Sequence, residues 1–173
     1  MSWAERTYAV ILAGVALWCG GFLLAPACVA SGSPALSAVG GALYALYHPV
    51  CHQMESHSLH LMGLPLAVCC RCSFIYFGFL AATVFFPFLE NLRRPRTLHP
   101  SLVVIALVPM LVDVGLGLVG LHQATFTTRA LTGFWFGVLT PFLLIPAAIE
   151  GICALQGEQS PPSIISEKGL NDA

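Results

Sequence analysis

The stretch HPVCHQMESHSLHLMGLPLAVCCRCSFIYFG, residues 48–78, begins as a polar loop and ends as an apolar run. It contains four of the six histidines and four of the seven cysteines of the chain. The chain as a whole is strongly apolar: 57% of its 173 residues are hydrophobic and only 9% are charged. Soluble domains carry about 25% charged residues. The composition therefore indicates an integral membrane protein, in which this stretch joins an exposed loop to a membrane helix.

Apolar runs on both sides of the loop are long enough to cross a bilayer, which requires about 20 residues per helix. We expect an all-α integral membrane fold whose four transmembrane helices lie at about 8–30, 65–89, 101–121 and 130–155. A shorter apolar run at about 34–47 predicts an additional interfacial or re-entrant helix. These helices form one domain, residues 1–156, followed by a polar tail at 157–173.

Basic residues predict the orientation of these helices. Arg93, Arg94 and Arg96 lie between the second and third runs and are three of the seven basic residues. Because basic loops stay on the cytoplasmic side, both termini and the tail should be cytoplasmic and the loop at 48–64 extracytoplasmic. The net charge of −1 gives no basis for binding nucleic acid. The lipid bilayer is the expected partner.

The cysteines of the opening stretch have a spacing that suits a metal. Cys51 and His52 precede the second apolar run, and Cys69 and Cys72 share one face of its first two turns. Three cysteines and one histidine form a common tetrahedral zinc site. We therefore predict Zn²⁺, or another thiophilic metal, at these four residues. Cys70 is turned about 100° away on the helix and is left out.

The remaining cysteines and histidines have simpler interpretations. Cys19, Cys28 and Cys153 are read as small buried hydrophobic residues. His57 and His60 are read as solvated loop residues, and His48 or His60 remains an alternative to His52 as a ligand.

Arg71 and Asp113 are charged residues inside predicted spans. Arg71 lies roughly 9 Å and Asp113 roughly 12 Å below the outer ends of their helices. A lone charge at such a depth costs about 2.5–3.5 kcal/mol, so we expect an ion pair between them. Arg129, at the outer start of the fourth helix, is predicted to join it. Gly133 and Gly137 form a small-residue face for packing within the chain or, alternatively, for a dimer.

These motifs together resemble a prokaryotic family of membrane proteins known as domain of unknown function 2085. The resemblance rests on CHQ at 51–53, CCRCSFIYFG at 69–78, the following Asp113 and RALTGFWFG at 129–137, and it covers residues 44–140. It implies a small helical protein of the prokaryotic inner membrane. The matching positions are Cys51, His52, Gln53, Cys69, Arg71, Cys72, Tyr76, Gly78, Asp113, Arg129 and Gly133.

Two details of the resemblance concern the surroundings of the site. Gln53 is expected either to support the metal ligands without touching the metal or to form a hydrogen bond in the loop, and Tyr76 is expected to support the ligands. The family motif commonly has Arg and Ser after CHQ, where this chain has His57 and Ser58. This chain therefore lacks the arginine that could pair with a phosphate or carboxylate at this position.

Two functional hypotheses follow from these residues. The first is a non-enzymatic, metal-binding membrane protein whose structural zinc fixes the loop, acting as an accessory subunit of a larger membrane complex or as a homodimer. The second is a thiol–disulfide oxidoreductase coupled to a membrane quinone, with Cys69 and Cys72 as its reactive pair and Cys51 as the loop partner.

Overall fold

A computed structural model describes residues 2–92, 95–96, 99–121 and 124–156. The predicted basic loop residues Arg93 and Arg94 and the tail at 157–173 lie outside these ranges. Four helical segments are long and apolar enough to cross a membrane: Trp3–Ala30, Cys70–Leu89, Pro100–Leu118 and Phe126–Leu155. The predicted fold class, a helical multi-pass membrane protein, is confirmed.

The described chain contains six α-helices and one small sheet. In order, these are α1 (Trp3–Ala30), α2 (Pro34–Tyr47), β1 (Ser58–Leu61), β2 (Leu64–Cys69), α3 (Cys70–Leu89), α4 (Pro100–Leu118), α5 (Phe126–Leu139) and α6 (Pro141–Leu155). The helix predicted at 34–47 has the predicted bounds. The other boundaries differ for local reasons.

Capping residues move three of the helix ends. Ser2 and Glu5 form a capping box, so α1 begins at Trp3 rather than at residue 8. The Thr125 side chain accepts the backbone N–H of Thr128, and α5 begins at Phe126 rather than at residue 130. Gly120 has a φ of 72°, which ends α4 at Leu118 rather than at residue 121.

The second span begins at Cys70, because residues 64–69 form a strand instead of the predicted first helical turns. Met62 and Gly63 have φ angles of 53° and 80°, as in the two-residue turns that join antiparallel strands. His60 pairs with Pro65 across this turn. The β2 side chains of Leu66, Ala67 and Val68 are buried in a core with Phe22 of α1 and Tyr47 of α2. This core docks the sheet onto the first two helices.

The fourth span consists of two helical segments rather than one. Pro141 has no backbone N–H and starts α6 directly after Thr140. The Thr140 carbonyl accepts the N–H groups of Leu143 and Leu144, each at 3.1 Å. The helical path therefore continues through Thr140 with a change of hydrogen-bonding pattern at Pro141.

Helices α3 and α5 run parallel and touch through glycines. A methyl group built on Gly133 would lie 2.6 Å from the carbonyl oxygen of Arg71, and one on Gly137 would lie 2.2 Å from that of Ile75. Gly78 faces α5 in the same way, since a methyl group built on it would lie 2.6 Å from the Phe134 carbonyl oxygen. The small-residue face of GFWFG therefore serves packing within the chain. Both helices begin at the same end of the bundle, beside the loop that carries Cys51.

Candidate metal centre

Three cysteines meet where the loop, the sheet and α3 join. Cys51 lies in the loop after α2, Cys69 ends β2 and is the N-cap residue of α3, and Cys72 lies in the first turn of α3. Their sulfur atoms all lie within 4.8 Å of one another. Cys69 was expected inside the helix. As the N-cap residue, Cys69 still lies close to Cys72 in the first turn of α3, and its sulfur lies within 4.8 Å of that of Cys72.

Hydrogen bonds around Cys51 favour its ionised form. Its side chain is buried, and its sulfur accepts the backbone N–H of Cys69 at 3.1 Å. Hydrogen bonds from the Cys69 thiol and then from the Cys72 thiol lower the pKa of Cys51 well below its ordinary value. The positive end of the α3 dipole lies at the same place and also favours a thiolate. Thiolate is the form of cysteine that binds metals.

Gln53 fixes the loop that carries Cys51. Its backbone has a φ of 51°, and its side-chain amide donates to the carbonyl oxygens of Tyr44 at 2.7 Å and Ala67 at 2.9 Å. The Tyr44 hydroxyl in turn donates to the carbonyl of Pro65. These bonds tie the loop to α2 and β2, so the Cys51 sulfur reaches the cluster from a fixed backbone.

Within the described residues, the cluster of potential ligands contains no histidine. His52 is exposed, and its ring nitrogens are not among the atoms that meet within 4.8 Å. The alternatives His48 and His60 are exposed and also lie outside the cluster. The structure therefore brings together three of the four predicted ligands.

An ion pair between a half-buried arginine and a buried aspartate lies beside the thiols. Arg71 Nη2 of α3 contacts Asp113 Oδ2 of α4, and the two side chains are 17% and 8% exposed. The Nε atom of Arg71 is buried and has no hydrogen-bond partner among the described residues. The sequence predicted this contact, but it placed Arg71 too deep. Because residues 64–69 form a strand and α3 begins at Cys70, Arg71 lies in the first turn of the helix.

Arg129 contacts His57 and not the ion pair that it was predicted to join. Its Nη2 atom lies 3.3 Å from His57 Nε2, and its Nε–H donates to the Ala124 carbonyl at 3.1 Å. Partial burial, Arg129 and then Arg71 lower the pKa of His57. A neutral His57 ring can accept a hydrogen bond from Arg129. Sequence reasoning treated His57 as solvated, although it stands where the family motif commonly has a basic residue.

The three thiols and the charged side chains beside them line one cavity of about 600 Å³. Its wall includes the three cysteines, His52, His57, Arg71, Asp113 and Arg129. The thiol cluster and the charged side chains therefore share a single space at the N-terminal ends of α3 and α5.

Cys70 and Tyr76 lie to the side of the thiol cluster. Cys70 is fully buried, and its sulfur approaches the Phe126 carbonyl at 3.7 Å, away from the other three thiols as expected. The Tyr76 ring packs 5.9 Å from the ring centroid of Trp18 and 6.0 Å from that of Phe22. It is one turn beyond Cys72 on α3 and joins the aromatic core beneath the thiols.

Comparison with known proteins places the same residues inside a shared region. A family model described as "Predicted membrane protein (DUF2085)" matches residues 51–143, which include the three thiols, the ion pair and Arg129. The "Uncharacterized protein MJ1492" of Methanocaldococcus jannaschii is 37% identical over 110 residues, which cover 64% of this chain and 70% of that protein. No solved structure matches the chain significantly.

Proposed function

The chain belongs to the DUF2085 family of membrane proteins, and we propose that it binds one zinc ion through the thiolates of Cys51, Cys69 and Cys72. The observation that carries this proposal is the convergence of three sulfur atoms, from a loop, a strand end and a helix start, within 4.8 Å. Sulfurs bound at 2.3 Å to a tetrahedral zinc lie about 3.8 Å apart. Three sulfurs that all lie within 4.8 Å of one another are compatible with that geometry.

The surroundings of the cluster support a metal over three neutral thiols. The Cys51 sulfur accepts a backbone N–H, and its pKa is strongly lowered. The thiolate form of Cys51, which a metal cation requires, is therefore favoured before any metal binds. Bringing three thiolates together without a cation would place like charges side by side in a partly buried site. Zn²⁺ removes that repulsion, and Cu(I) would also suit an all-sulfur set.

The proposed metal would join two parts of the bundle. Cys51 belongs to the unit formed by α1, α2 and the sheet, whereas Cys72 belongs to α3, which packs closely on α5. Because Leu66, Ala67 and Val68 already dock the sheet in an apolar core, the metal is not needed to hold the whole hairpin. Its structural effect would be to fix the start of α3 against the loop.

We further propose a non-enzymatic role as an accessory subunit in the inner membrane of a prokaryotic cell. The thiol site would face the extracytoplasmic side and both termini the cytoplasm, as the positive-inside rule predicts for a basic loop at 91–100. Helix α4 packs against α5 and leaves Leu102, Ile105 and Val112 exposed, a face available to lipid, to a partner helix or to a second copy.

Metal analysis of the full-length protein, purified in detergent, tests the proposed zinc site. Inductively coupled plasma mass spectrometry should find one zinc ion per chain. The zinc should be lost in Cys51→Ser, Cys69→Ser and Cys72→Ser. Cys70→Ser is the matched control, because this neighbouring thiol faces Phe126 and its loss should leave the metal in place.

Two outcomes would contradict the zinc site. Unchanged metal content in Cys72→Ser would show that the metal is bound elsewhere. A metal-free protein with a reducible disulfide between Cys69 and Cys72 would instead favour the thiol–disulfide oxidoreductase.

A further inference from the structure

The three sulfurs leave one position of a tetrahedral zinc site without a cysteine ligand, and the cavity borders all three. We propose that this position takes an external carboxylate, which pairs with Arg129 across the cavity. The inference rests on the proposed zinc site and adds a ligand class to it. A site with three protein ligands and an open fourth position differs from the closed structural site that the sequence predicts with His52.

The size of the cavity suits a small organic ligand. Its volume of about 600 Å³ falls in the range of about 300–1,000 Å³ that is usual for ligand pockets. Apolar side chains such as Val50, Val114 and Leu118 line it together with the charged groups. A wall of this kind accommodates the body of a small molecule whose carboxylate faces the metal and the arginine.

Arg129 has donor groups available for a carboxylate. Within the described parts of the chain it has no carboxylate partner, and its hydrogen bonds go to the Ala124 carbonyl and the His57 ring. A guanidinium has five N–H donors in a planar fork that matches a carboxylate. Arg71, which is half-buried and also lines the cavity, is already paired with Asp113, so Arg129 is the arginine available to the ligand.

The charges of the site favour a ligand with a single negative charge. Zn²⁺ with three thiolates carries a net charge of −1, which Arg129 balances, while Arg71 and Asp113 balance each other. The N-terminal ends of α3 and α5 lie at the cavity and each contribute roughly +0.5 of an elementary charge. One carboxylate is compatible with this balance, whereas a doubly charged phosphate exceeds it.

Cobalt substitution tests this inference separately from the zinc site. Full-length protein in detergent is loaded with Co²⁺, whose thiolate charge-transfer absorption reports the cysteines and whose visible bands report the fourth ligand. Acetate should shift the visible bands in a saturable way without loss of the charge-transfer absorption. Phosphate at equal concentration should shift them less.

Variants identify the partner of the added anion. Arg129→Gln should weaken acetate binding roughly 10- to 100-fold, as expected for the loss of a charge-assisted hydrogen bond, while the charge-transfer absorption persists. Arg6→Gln is the matched control, because Arg6 stacks on Trp3 near the start of α1 and its loss should leave acetate binding unchanged.

Failure of each proposal has its own signature. Absence of charge-transfer absorption in the wild type would refute the thiolate site itself. A normal charge-transfer band with no response to acetate, or equal acetate affinity in Arg129→Gln, would overturn only the carboxylate ligand. Visible bands that change in His52→Ala without added anion, while wild type ignores acetate, would show that His52 closes the site.

Discussion

The contact between Arg71 and Asp113 is an ion pair that joins α4 to α3. Asp113 is buried in an otherwise apolar helix, and the contact joins α4 to α3 beside the proposed metal. On insertion scales a lone charge at the centre of a membrane helix costs about 2.5–3.5 kcal/mol. Arg71 lies in the first turn of α3 and Asp113 near the end of α4, where the cost is smaller. The pair is therefore less a source of net stability than a condition for keeping either charge in the bundle.

Removing one partner should consequently be worse than removing both. We expect Asp113→Ala to lower the free energy of unfolding in detergent by about 3–5 kcal/mol, because it leaves the Arg71 cation without its partner. The double change with Arg71→Leu should recover a substantial part of that loss. Circular dichroism melts of wild type, both single variants and the double variant measure the coupling, and Asp113→Asn separates loss of charge from loss of shape. Additive effects would contradict a dependence of each charge on the other.

At this scale, residue types and spacing predicted the thiols and the ion pair but not every contact. Cys51, Cys69 and Cys72 were identifiable because a Cys-His pair and a CxxC pair lie close together in an otherwise apolar sequence. The placement of His52 was not, since neighbouring side chains in a non-helical loop diverge, and here Cys51 is buried while His52 is exposed. The contact of Arg129 with His57 depends on the path of the loop, which spacing alone does not determine.

At the scale of elements, the parallel pair α3 and α5 is held at a distance that only glycine permits. Gly133 and Gly137 face backbone carbonyl oxygens of α3 rather than flexible side chains. A larger side chain would have to push the helix axes apart, since backbone atoms of a helix yield little. The same contact sets the relative positions of Arg71 on α3 and Arg129 on α5, which border the cavity together.

A methyl group at Gly137 should therefore destabilise the protein. In Gly137→Ala the new carbon would lie 2.2 Å from the Ile75 oxygen, and we expect a loss of about 1–3 kcal/mol, typical of overpacking. Gly151→Ala in α6 is the matched control, because nothing lies within 4 Å of the added methyl group. It should be neutral or stabilising by up to about 1 kcal/mol through helix propensity. Equal melting temperatures for the two variants would contradict the close packing.

Apolar composition predicted the helices but could not predict the sheet. Residues 65–69 are an apolar run continuous with the α3 sequence, and a short buried strand has the same composition as a helix turn. The turn at Met62–Gly63 makes these residues a strand rather than a helix, and Met is an uncommon residue at positive φ. Without Asn or Asp before the glycine, the hairpin had no strong sequence signal. The division of the fourth span at Pro141 could not be predicted either, because prolines inside α1, α3 and α4 do not divide those helices.

At the scale of the whole molecule, the residues of the candidate site lie together at one end of the bundle. The thiols, the ion pair and Arg129 lie where α3 and α5 begin and where α4 ends. A second core, formed by Ala4, Phe86, Ile145, Ile149 and Cys153, is largely apolar. Two parallel helices direct the positive ends of their dipoles toward the thiols, so the same packing that closes the bundle also favours anions at that end.

The proposed orientation can be tested with introduced cysteines in the intact chain. Met62 is 69% exposed at the hairpin turn, and Gln156 is exposed at the end of α6. Because the basic loop at 91–100 should remain cytoplasmic, a membrane-impermeant maleimide should label Met62→Cys on whole cells. It should reach Gln156→Cys only after the cells are permeabilised. The wild-type protein provides the baseline for its own cysteines, which are buried or half-buried. The reverse pattern, with Gln156→Cys labelled on whole cells and Met62→Cys protected, would place the thiol site in the cytoplasm and contradict the orientation.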